Sequence, residues 1–125
     1  MKTIKQEYQI NAPLEKVWEA LVEPKVIEKW GAGPVKMSDE EGFEFELWGG
    51  DIHGKNIEVT KNKKLIQEWY SGNWPKPSKV TFTLSSEGGS TTVSLTHENI
   101  PDEEAKDIEG GWNSYYLGKI KELLE

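Results

Sequence analysis

The sequence predicts an α+β fold: a curved antiparallel sheet of about seven strands around a long C-terminal helix, with two short helices after the first strand. Three observations predict it. Pro101 to Glu125 carries one apolar stripe at helical spacing, formed by Ile108, Trp112, Tyr115 or Tyr116, Ile120 and Leu123. Between Val35 and Asn99 the chain breaks into short alternating segments, and connections this short join antiparallel neighbours. Residues 2–30 read as one strand followed directly by two helical segments. A sheet with one apolar face must bury it, and the terminal helix is the only element long enough to do so.

Each element has its own signal. In Lys2 to Ile10, Ile4, Gln6, Tyr8 and Ile10 face one way and Thr3, Lys5, Glu7 and Gln9 the other, which is a strand with one wet face. Pro13 and Glu15 suit a helix start, and Leu14, Val17, Trp18 and Leu21 give it an apolar face to about Val22. Pro24 opens a second helix with Val26, Ile27 and Trp30, closed by Gly31, Gly33 and Pro34. Val35 to Ser38 reads as a short strand. Gly42 to Trp48 follows, with Phe43, Phe45 and Leu47 opposite Glu44, Glu46 and Trp48. Ile52 to Thr60, Lys64 to Ser71, the alternation Val80, Phe82, Leu84, and the alternation Val93, Leu95, His97 complete the strands. Gly49-Gly50 and Gly88-Gly89 are turns; neither precedes a helix with the Lys-Ser/Thr of a phosphate loop.

In the terminal helix, Pro101 and the acidic run Asp102, Glu103, Glu104 suit the positive end of the helix dipole. Gly110, Gly111 and Gly118 do not suit its interior, where each glycine costs about 0.8–1 kcal/mol against alanine. They imply a tight crossing over the sheet, a bend, or space left for a ligand.

The totals narrow the function. The 125 residues make one domain, 1–125, with a net charge of −7 and no cysteine. All 15 basic residues are lysine, and no basic patch is visible, so nucleic acid is not an expected partner. No apolar run approaches the roughly 20 residues of a membrane span, so no membrane insertion is expected. The first residues lack the apolar block of a secretory signal, and a cytoplasmic protein is the expectation. His53 and His97 are the only histidines and no close-spaced ligand set surrounds either, so neither a metal nor another cofactor is expected. Glu44 and Glu46 alternate against Phe43 and Phe45 and belong on the wet face, which leaves no paired carboxylates for acid–base catalysis.

The chain also carries ordered fragments: Ile10-x-Ala12-Pro13 with Val17-Trp18-x-Ala20-Leu21, Gly42 with Gly49-Gly50 and Gly54, Leu65 to Trp69, Val80 to Leu84, Leu95-x-His97-x-x-Ile100-Pro101, then Gly111-Trp112 and Leu117. Together they resemble the START-like (SRPBCC, helix-grip) superfamily. Within it they resemble the C-terminal-domain type of the activators of the ninety-kilodalton heat-shock chaperone's ATPase. The resemblance implies the helix-grip fold and, as in many superfamily members, a hydrophobic cavity between sheet and helix. It also implies a co-chaperone role. The eukaryotic co-chaperone has a further N-terminal domain that this chain does not include.

The main expectation is non-catalytic binding of a small apolar or amphipathic molecule between helix and sheet. Phe43, Phe45, Val80, Phe82, Leu84, Val93, Leu95, Ile108, Trp112 and Tyr116 are the candidate lining, and His97, at the rim, and Trp69 the candidate polar contacts. The same residues would equally make a filled core. Trp74, in a loop with Pro75 and Pro77, is the candidate lid or partner contact. The alternative is a stand-alone co-chaperone-like domain whose partner is a chaperone protein, met on the outside of the sheet. An enzyme would need a buried, perturbed acid or base.

Overall fold

A computed structural model describes all residues, Met1 to Glu125. The chain runs β1 (Lys2–Ile10), α1 (Leu14–Val22), α2 (Pro24–Trp30), β2 (Glu44–Leu47), β3 (Ile52–Thr60), β4 (Lys64–Ser71), β5 (Ser78–Glu87), β6 (Ser90–Ile100), α3 (Ala105–Gly111) and α4 (Leu117–Leu124). The sheet is antiparallel throughout, in the order β1-β6-β5-β4-β3-β2. It has six strands, one fewer than the sequence suggests. Val35 to Ser38 forms no strand: Lys36 makes a single bridge to Glu46, with N–H···O distances of 2.9 and 3.0 Å, and the chain then turns away.

Alternation decides which face is dry. Val80, Phe82, Leu84, Val93, Leu95, Leu65, Phe45 and Leu47 all face the helices and are buried. Thr81, Thr83, Ser94 and Thr96 pair across β5 and β6 on the other face. Gly54 is where β3 and β4 need glycine, because a Cβ there would collide with the Glu68 carbonyl. Phe45, directly opposite in β2, covers the gap with its ring. Below it, Asn56 is fully buried and fully used: its amide donates to the Ser38 and Glu40 carbonyls, at 2.8 and 3.2 Å, and its oxygen accepts from Gln67 at 3.0 Å.

Helices α1 and α2 close one end of the sheet through Val17, Trp18, Leu21, Ile27 and Trp30. The terminal helix closes the rest, but not as one regular rod. A π turn, Trp112–Tyr116, separates α3 from α4, and the Leu117 N–H donates five residues back to the Trp112 carbonyl. Gly118 makes this possible: any Cβ at that position would strike the Asn113 carbonyl. The extra residue buries Tyr116 and Leu117 side by side and moves the apolar stripe on by one position. Leu124 therefore packs against the core, while Leu123, which the regular stripe would bury, is exposed.

Candidate functional site

Aromatic residues from five parts of the chain meet where the π turn crosses the sheet. Tyr116 lies 4.6 Å, centroid to centroid, from both Trp30 and Trp112, and Trp112 stacks on Trp69 at 5.4 Å and 25°. Trp48 closes one end of this column against Trp30 at 6.1 Å, and Trp74 closes the other against Trp69 at 6.5 Å. Offset and edge-on pairs of this kind contribute roughly 0.5–1.5 kcal/mol each beyond their area. The Trp74 indole N–H donates to the Glu104 carboxylate, tying the β4–β5 loop to the start of the terminal helix.

A polar chain pins the column to β6. Trp112 Nε1–H donates to His97 Nδ1 at 3.1 Å. That assigns the proton of the neutral ring to Nε2, which donates to Ser78 Oγ at 2.7 Å. Ser78 in turn donates to the Trp69 carbonyl, also at 2.7 Å. His97 is wholly buried, and burial lowers its pKa from 6.5 to about 3. A protonated ring would set a second N–H against that of Trp112. The imidazole is a neutral connector between helix and sheet.

Beside the column lies an open cleft of about 320 Å³, walled by Trp48, Asp51, Ile52, Trp69, Asp107, Ile108, Gly111, Trp112, Tyr115 and Tyr116. The Trp69 indole N–H and the Tyr116 hydroxyl are buried without any protein partner, and burial pushes the Tyr116 phenol pKa up. A second depression, of about 400 Å³, lies over β2 and β3; apart from Phe45 it is bordered by polar residues and glycine.

Of the residues that the sequence nominates, Trp69, Ile108, Trp112 and Tyr116 line the cleft. Phe45, Val80, Phe82, Leu84, Val93 and Leu95 lie in the close-packed core, and Phe43 packs against it, half-buried. His97 is in the interior rather than at the rim, since the stretch after it continues as strand to Ile100. Trp48, Asp51, Ile52, Asp107, Gly111 and Tyr115 complete the wall. Alternation puts Trp48 on the wet face, but alternation stops at Leu47: Trp48 has φ 51°, and its indole N–H donates to the Gly31 carbonyl at 2.9 Å. The signal available for it was the Gly49-Gly50 turn that follows directly. No group of three or more His, Cys, Asp or Glu side chains is arranged to hold a metal ion.

The family model described as activator of Hsp90 ATPase homolog 1-like protein matches residues 11–125. The chain belongs to this family. Among members of the activator family, it is 31% identical over 121 residues to an activator of 90 kDa heat shock protein ATPase homolog from Dictyostelium discoideum, covering 94% of this chain and 31% of that one. It is 27% identical over 126 residues to the Hsp90 co-chaperone AHA1 of Saccharomyces cerevisiae, covering 92% of this chain and 35% of the yeast protein. The chain thus spans about a third of the length of these curated relatives. The fold is shared with a crystal structure of an HSP90 activator from Plasmodium falciparum, with TM-score 0.89 and 24% identity, over 99% of this chain and 96% of that one. The activator resemblance and the helix-grip fold read from the sequence both stand. No helix is long and apolar enough to cross a membrane.

Proposed function

We propose that the domain is a co-chaperone-like module that binds a ninety-kilodalton heat-shock-type chaperone and raises its ATPase rate. The observation that carries this reading is the family match across residues 11–125, with relatives named as activators of that ATPase. The sheet's outer face supports it as the contact surface: Thr81, Thr83, Ser94 and Thr96 form a hydroxyl-lined patch, with Thr83 exposed and the other three half-buried. The test is steady-state ATP hydrolysis by the chaperone from the same organism, titrated with the domain. A saturable rise that Thr83→Glu weakens about tenfold supports the reading. An unchanged rate up to tens of micromolar domain overturns it.

A second reading has its own support. The open cleft, mostly apolar and bordered by Asp51 and Asp107, suits a small amphipathic ligand, because sites of this kind are apolar walls with few polar groups. The neutral probe N-phenyl-1-naphthylamine would then bind saturably with enhanced fluorescence, and Ile108→Trp would abolish the effect by filling the space. Absence of saturable binding removes this reading.

A further inference from the structure

We propose that the cleft selects a cationic ligand, specifically a small amphipathic ammonium compound. The proposal rests on the cleft being a ligand site at all. Its wall is built from five aromatic residues, with Tyr115 exposed and Trp48 half-buried in front of the buried Trp69, Trp112 and Tyr116, and from two aspartates, Asp51 and Asp107, with no lysine among the lining residues.

Both carboxylates are exposed, one on either side of the cleft, and neither takes part in an ion pair within the protein. Lys106, next to Asp107 in sequence, borders a different depression beside Lys2 and Asp102. An ammonium group held between aromatic faces is attracted by the ring quadrupoles, and the attraction grows as water is excluded. The net charge of −7 adds a general bias toward cations near the surface.

Ile52 and Ile108 offer contact for an apolar body. A divalent metal is a poor match, because two carboxylates with indole and phenol neighbours are not an oxygen cage.

The experiment compares two isosteric probes on the intact chain. One is choline phenyl ether; the other is its uncharged counterpart, 3,3-dimethylbutyl phenyl ether, in which carbon replaces the ammonium nitrogen. Binding is followed through the indole N–H signals of Trp69 and Trp112 in ¹H–¹⁵N spectra, with N-phenyl-1-naphthylamine as the neutral reference. The expected result is at least tenfold tighter binding of the cation, a shift of the Trp69 indole signal, and loss of most of the preference in the Asp51→Asn/Asp107→Asn double variant. Both aspartates are at the surface, so the variant keeps the fold. Equal or tighter binding of the uncharged ether, or binding of the naphthylamine alone, overturns the cation proposal and leaves the cleft a neutral-ligand site. Silence from all three probes removes the cleft reading together with the proposal.

Discussion

Lowering the pH from 7 to 5 should destabilise this protein chiefly through His97. Folded, its imidazole is buried, accepts from Trp112, and stays neutral until pH falls to about 3, because burial disfavours the charged form. Unfolded, it takes up a proton through its ordinary value of 6.5. Between those two values the unfolded chain holds more protons, so stability is greatest above 6.5 and declines as pH falls toward about 3. At about 1.4 kcal/mol per unit, the loss between pH 7 and pH 5 is about 2 kcal/mol. That is a large part of the roughly 5–15 kcal/mol that holds a domain of this size together. Urea unfolding at both pH values would read it as a midpoint shift of about 1 M. The control is His97→Gln, whose amide can still accept and donate but does not titrate. Its midpoint should move far less over the same interval. Equal pH dependence in the two proteins would refute the buried neutral imidazole. Asp102 and Glu125, whose carboxyl pKa values are held down by the N-terminal ammonium and by Lys121 respectively, cancel in the comparison because both proteins carry them.

Three further outcomes follow from the packing. Trp112→Phe keeps an aromatic ring in the column but leaves His97 Nδ1 without its donor, and urea unfolding should show a loss of about 1–3 kcal/mol. Gly118→Ala forces a methyl against the Asn113 carbonyl; thermal unfolding should report about 1–3 kcal/mol of destabilisation, and hydrogen exchange should be fastest at the π turn. Asn56→Ala strands the buried Gln67 amide and removes the donor of two part-buried loop carbonyls, so a cost of about 2 kcal/mol should appear, with exchange of the Gly42 amide, which donates to the Asn56 backbone carbonyl, accelerated.

Most of the fold was legible because its signals are local. The two-residue alternation in β1, β5 and β6 and the helical spacing of Val17, Trp18 and Leu21 needed no tertiary knowledge. The seventh strand was misread because four residues after a proline look extended whether or not a neighbour pairs with them. The π turn was half legible: Gly118, with Gly110 and Gly111, pointed to a tight crossing, a bend or open space without choosing among them, and a regular stripe counted at 3.6 residues per turn cannot show an inserted residue, so the stripe puts Leu123 where Leu124 sits. The cleft was the least legible part. Trp112 and Tyr116 were found because they lie on the stripe. Trp48, Asp51 and Asp107 come to the same wall only through a left-handed turn and the placing of the terminal helix over the end of β3, which no local pattern encodes. His97 has the inward side its alternation gives it; its depth follows from the length of β6 and from the indole that reaches down to it.

The most direct test of the co-chaperone account is a titration of the ¹⁵N-labelled domain with the full-length ninety-kilodalton chaperone from the same organism, followed by amide spectra. The account predicts saturable changes concentrated on Thr81, Thr83, Ser94, Thr96 and their neighbours. Spectra that stay superimposable at tens of micromolar chaperone would contradict it.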